Sequence, residues 1–264
     1  MRTGNQIVYQ PAHFVFDRLR ARFDGSQQCV WTDLMMHAVY LCCTLALIRR
    51  THPLARLSAA HMLLTSFSAL CGAAGHARCG ADTPDGYDDA LVAHLSSSAF
   101  RLNWSLTSGL LTLAAAPLGC MGSVFARAHK ALIVVPDWVW YAYGVCTTVL
   151  VAAGAFSFQR PAADVLFAGM VQAPPTVYLL LAVLASRHSG SGSDRLITWT
   201  ARHWCLPALL LAPAPILLMY PLILHHPLFA AWSLGDLNAF LHVFVQTVLV
   251  GQVVGVCAFT EHTV

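Results

Sequence analysis

Residues 237–259 read LNAFLHVFVQTVLVGQVVGVCAF. No Asp, Glu, Lys or Arg interrupts the stretch. A helix rises 1.5 Å per residue, and a bilayer core of about 30 Å takes about 20 apolar residues to cross. The segment therefore reads as a transmembrane helix. It is not uniformly apolar, since Asn238, His242 and Gln246 recur every four residues and so share one helical face. A polar stripe of this kind is costly against lipid, and it is expected to turn towards the interior of a bundle.

Working outward from there, further stretches have the same character. The first span runs from about Asp33 to Ile48, stopped by Arg49 and Arg50. The second runs from Leu57 to Gly75 and the third from Leu102 to Met121. The fourth runs from Trp138 to Phe156 and opens with Trp138, Trp140, Tyr141 and Tyr143, which read as an interfacial aromatic belt. The fifth runs from Val165 to Ala185 with Pro174 and Pro175 inside it. The sixth runs from Cys205 to Leu224 with four prolines. Prolines within spans five and six predict kinks, and carbonyls that must find donors on neighbouring helices. The fold class expected is all-α, a polytopic integral membrane protein built as a seven-transmembrane-helix bundle.

Composition agrees. Charged residues make up 10% of the chain, against about 25% in a soluble domain, and 57% are hydrophobic, with a mean hydropathy of +0.62. The formal charge of +3 is small and scattered, which argues against a nucleic-acid partner. The expected partners are membrane lipids and, for a subunit, other membrane proteins.

Residues 1–31 form a polar N-terminal tail and residues 32–260 the transmembrane domain. Phe16, Leu19 and Phe23 fall on one face of the tail with Arg18, Arg20 and Arg22 nearby, as in an amphipathic helix lying on the membrane surface. The tail has no apolar core followed by a cleavage site, so no cleaved secretory signal is read there. Basic residues near the span ends number six on the N-terminal side, here side A, and eight on side B, a lean towards cytoplasmic side B. The compartment, endomembrane or organellar, stays open. Cys29 and Cys79 both fall on side A and would pair if that side is oxidising.

Polar residues gather at one depth. Asp33 and His37 open span one, His76 closes span two, Asn103 opens span three, and Asn238, His242 and Gln246 open span seven. All lie in the side-A half. Two or three imidazoles and a carboxylate are the donor types that hold Zn²⁺ and leave a position for water. His76, His242 and His37 are the candidate metal ligands, Asp33 the candidate base, and Asn103, Asn238 and Gln246 the remaining lining of a polar pocket. The competing structural reading is a set of interhelical hydrogen bonds. His61 lies too deep to join the group, and His225 and His226 read as loop residues. Asp137 reads as a carboxylate favoured by a helix N-terminus.

Thr32-Asp33, Gly72-x-x-Gly75-His76 and Asn238-x-x-x-His242-x-x-x-Gln246 together resemble an uncharacterised family of small seven-span membrane proteins, a resemblance that implies no activity. More distantly, the pattern is similar to the superfamily of alkaline ceramidases and progestin/adipoQ receptors. That likeness implies an intramembrane zinc, with His76 matching the span-two ligand and His242 the second ligand of span seven. Asn238 stands where the first span-seven histidine belongs, Gly72 where a serine belongs, and Asn103 is not an aspartate. A zinc site would then draw on Asp33 or His37. Three functions compete: a non-catalytic subunit or scaffold, a zinc-dependent lipid hydrolase of ceramidase-like type, and a transporter or ligand-binding membrane protein.

Overall fold

The computed structural model describes residues 27–77, 98–129, 133–157, 165–186 and 234–261. Every regular element among them is α-helix: α1 (Gln27–Ile48), α2 (Pro53–His76), α3 (Ser98–Leu113), α4 (Ala115–His129), α5 (Asp137–Ser157), α6 (Val165–Ser186) and α7 (Leu234–Glu261). Five stretches are long and apolar enough to cross a membrane: α1, α2, residues 102–128 spanning α3 and α4, residues 168–185 of α6, and residues 239–257 of α7. The amphipathic tail, Cys79, the expected sixth span, His225 and His226 lie outside the described residues.

α1 begins at Gln27, ahead of the boundary expected near Thr32, so Val30, Trp31 and Thr32 are helical. α2 starts where Pro53 fixes φ, and the His52 ring accepts a hydrogen bond at Nδ1 from the Leu54 amide, 3.2 Å away. α1 and α2 then form an antiparallel pair, with His37 beside Ser66 and Asp33 beside His76.

The third span is longer than its expected end at Met121. α3 and α4 form one rod broken only at Ala114, because Pro117 has no amide to offer the Leu113 carbonyl. Neighbours supply donors at the break. Gln172 donates from Nε2 to the Leu111 carbonyl at 2.7 Å, and the His61 ring at Nδ1 reaches the Ala114 carbonyl at 3.0 Å. His61 is 2% exposed and far from the side-A polar group, as its depth in the sequence implied.

This rod is the centre of the bundle. Of its most apolar stretch 78% is buried, against 28% in α1 and 28% in α7. α2, α5 and α6 all pack on it, and α1 carries α7 on the far side of α2. Close approach depends on small residues, as is usual where lipid gives no hydrophobic drive to helix association. A Cβ on Gly119 would run into the Trp140 ring, and one on Gly122 would stand 2.6 Å from Tyr178.

Only half of the aromatic belt faces outward. Trp138 and Tyr141 are exposed, whereas Trp140 is 8% exposed and donates from Nε1 to Ser123 Oγ at 3.1 Å. Tyr178 clamps the connection before α5, donating to the Ile133 carbonyl and accepting from the Val135 amide. Asp137 opens α5 as expected, and Arg127 also holds it in two hydrogen bonds of 3.0 and 3.3 Å. Both side chains are well exposed, so that pair contributes at most about 1 kcal/mol.

α6 continues through Pro174 and Pro175 as one helix. Pro175 cannot donate to the Val171 carbonyl, and the Tyr143 hydroxyl takes over at 2.8 Å. Removing that hydroxyl strands a carbonyl with no intrahelical donor, at a cost of about 1–3 kcal/mol. Tyr143→Phe is therefore expected to lower the thermal unfolding temperature of the purified protein. An unchanged melting curve would mean that the carbonyl needs no outside donor.

Candidate functional site

α1 buries Cys29, Asp33, Met36, Tyr40, Thr44 and Leu47, a stripe that recurs every three or four residues. Asp33 is the charged member of that stripe and is 5% exposed. Its two carboxylate oxygens face two different helices. Oδ2 lies 3.8 Å from His76 Nε2 at the last residue of α2, and Oδ1 lies 3.3 Å from His242 Nδ1 near the start of α7. Of the polar residues expected at one depth, Asp33 of α1, His76 of α2 and His242 of α7 therefore come together.

The neighbours hold these groups in place. Thr32 Oγ1 stands 2.9 Å from His242 Nδ1 and donates its own proton to the Gln28 and Cys29 carbonyls. With the hydroxyl proton so used, Thr32 accepts from His242, and the tautomer that satisfies Asp33 as well carries its proton on Nδ1. Trp104 of α3 meets the His76 ring edge-on, with centroids 5.4 Å apart. Gly75, beside His76, lets that indole approach, since a Cβ there would lie 3.0 Å from it.

Gly72 has the same role for the carboxylate. A Cβ at this position would stand 2.9 Å from Asp33 Oδ2. Asp33 thus occupies the space in front of the α2 backbone that a side chain at position 72 would fill.

The remaining candidates divide. His37 lies one turn past Asp33 but turns to α2, where Nδ1 donates to Ser66 Oγ at 2.8 Å and Ser66 returns a hydrogen bond to the His37 carbonyl at 2.9 Å. It is a helix-pairing residue and does not stand as the third ligand. Asn103 supplies its backbone carbonyl to Thr107 at 2.9 Å. Gln246 lies one turn below His242, with its Oε1 buried and no hydrogen-bond partner for that atom among the described residues. The Asn238 side chain lies outside the described residues. Thr32 had a place only in the family resemblance, and Trp104 had no place among the candidates. Neither carries a charge or a metal-ligand spacing that would have placed it at the site.

Neighbouring donors around a tetrahedral zinc with bonds of about 2.0–2.1 Å stand about 3.3 Å apart. The Asp33–His242 pair has that spacing, while Asp33 and His76 are wider apart at 3.8 Å. Among the described residues no group of three or more His, Cys, Asp or Glu side chains is disposed to hold a metal ion. His37 faces Ser66, and the His242 nitrogen nearest the carboxylate is shared with Thr32. As arranged, these residues do not fit a zinc centre. They form a polar junction that brings one carboxylate and two imidazoles from three helices together.

Compared with known protein families, curated proteins and solved structures, the chain matches none.

The close fit at Gly72 gives a sharp contrast. Gly72→Val is expected to displace Asp33 and cost about 1–3 kcal/mol of stability. Gly109→Ala, whose Cβ would meet only Thr148 at 3.4 Å, is expected to be tolerated. Thermal unfolding of the two purified variants checks this; equal melting temperatures would mean that Asp33 does not depend on the glycine.

Proposed function

We propose that the chain is a seven-span membrane protein without a catalytic centre of its own, working as a subunit or scaffold of a larger membrane assembly. In this reading Asp33, His76 and His242 form its internal lock. The observation that carries it is the engagement of each ionisable group at the site by another: Asp33 by both histidines, and His242 also by Thr32. A zinc-dependent hydrolytic site needs three ligands turned towards one metal, whereas here Asp33 and the two histidines are turned towards one another. Outward-facing apolar side chains such as Leu45, Val149, Leu150, Met170 and Val254 suit lipid or the helices of a partner.

Helix direction supports the count of seven. α6 runs parallel to the α3–α4 rod, with Gln172 beside Leu111 and Tyr178 beside Gly122. The rod runs antiparallel to α2, with Trp104 beside Gly75 and Ala114 beside His61. α7 runs parallel to α1, with His242 beside Asp33 and the Cys257 carbonyl accepting from Arg50 Nη1. α6 therefore ends on side B and α7 begins on side A. On this reading the chain between them crosses once more, and residues 205–224 are the apolar stretch the sequence offers for it.

Two experiments test the proposal. Tags inserted at Gly190 and after Val264 are expected to be accessible from the same side, and a tag before Met1 from the other. Gly190 and Val264 on opposite sides would remove the sixth span. For the functional part, protein purified in mild detergent is expected to carry no stoichiometric zinc. It should also run as an assembly heavier than the 28.6 kDa chain, with other subunits present. Stoichiometric zinc that disappears in His242→Ala would overturn the reading in favour of a metal-dependent hydrolase.

A further inference from the structure

Below the Asp33 junction α1 and α7 each hold a buried polar group with no role in it. Tyr40 is fully buried at 0% exposure, and its hydroxyl has no hydrogen-bond partner among the described residues. Gln246 Oε1 is likewise buried and unpartnered. Each sits on the stripe that its helix turns inward. Tyr40 follows Asp33 by two turns on the buried face of α1, and Gln246 follows His242 by one turn on α7.

The register puts them at one depth. α1 and α7 are parallel, and their pairings run from Asp33 with His242 to Arg50 with Cys257. Gln246 is therefore level with residues 37–39 of α1, within about one turn of Tyr40. Helical side chains lean towards the N-terminus of their own helix, which carries the Tyr40 hydroxyl up towards the level of Gln246.

A buried phenol needs an acceptor and a buried amide carbonyl needs a donor, and leaving either unmade is costly where no solvent reaches. One molecule that donates and accepts at once can serve both. Water is the smallest that does, and a buried water is stable with two to four polar partners.

We propose that a bound water molecule bridges the Tyr40 hydroxyl and the Gln246 side-chain carbonyl between α1 and α7, extending the polar interior of the Asp33 junction about a further turn into the membrane. Tyr40 donates to the water, and the water donates to Gln246. The bridge does not depend on whether the chain works within an assembly. It makes α1 and α7 adhere at mid-depth through a ligand that neither helix supplies.

The test uses full-length purified protein. Tyr40→Phe and Gln246→Met are each expected to lower the melting temperature by about 2–4 °C, and the double variant by no more than the larger single effect, because both residues hold the same water. A Tyr40→Phe variant as stable as the wild type, or more stable, would mean the hydroxyl is simply unpaired and would overturn the proposal, as would additive losses in the double variant. A high-resolution map of the wild type supplies the second measurement. A solvent peak within hydrogen-bonding distance of both atoms supports the bridge, and a side chain from residues 205–224 filling that space overturns it.

Discussion

Asp33 is a carboxylate placed where lipid would otherwise be, and the arrangement of the side-A half follows from that placement. A charge near the middle of a membrane helix costs about 2.5–3.5 kcal/mol on insertion scales, less towards the interface, so the group has to be met from within the protein. α2 meets it with His76 and α7 with His242, at 3.8 and 3.3 Å. Those two contacts fix the rotation of both helices about their axes, because each histidine can reach the carboxylate from one face only. Gly72 then has to be a glycine, and Trp104 is drawn against His76 from α3. Four helices are thus oriented by one ionisable side chain.

The other half of the bundle is held by a different means. Around the α3–α4 rod the polar contacts repair the backbone. Gln172 and His61 serve carbonyls at the break near Ala114, and Tyr143 serves the carbonyl that Pro175 leaves without a donor. In water such carbonyls would be solvated at little cost. In a bilayer a carbonyl left without a donor is costly, so the proline at 175 fixes a contact between α5 and α6. The two halves meet along α2, whose buried face is largely Ala, Ser and Gly and admits neighbours on both sides.

Much of this could be read from the residues. Apolar run length gave the helices, since the bilayer imposes that length directly, and the common depth of Asp33, His76 and His242 gave their meeting. What escaped was lateral detail. Trp140 and Tyr143 have the composition of interfacial residues, yet both turn inward, because Ser123 and the Val171 carbonyl offer them hydrogen bonds that lie on other helices. His37 has the same spacing from Asp33 as a metal-ligand pair, yet Ser66 takes it. Period and depth are properties of one helix, and partner choice is a property of two. A single sequence carries the first openly and the second only through its packing.

The pairing of α1 with α7 joins residues 210 positions apart, Thr32 and His242. Helices of a membrane protein are threaded into the bilayer in the order they are synthesised, so α1 is in place long before its partner exists. During that interval Asp33 has only α2, arriving next, to shelter it, and His76 stands at the very end of that helix. The junction is therefore assembled in two stages, a provisional histidine first and a second one with the last span. Until α7 is in place, Asp33 is met from α2 alone.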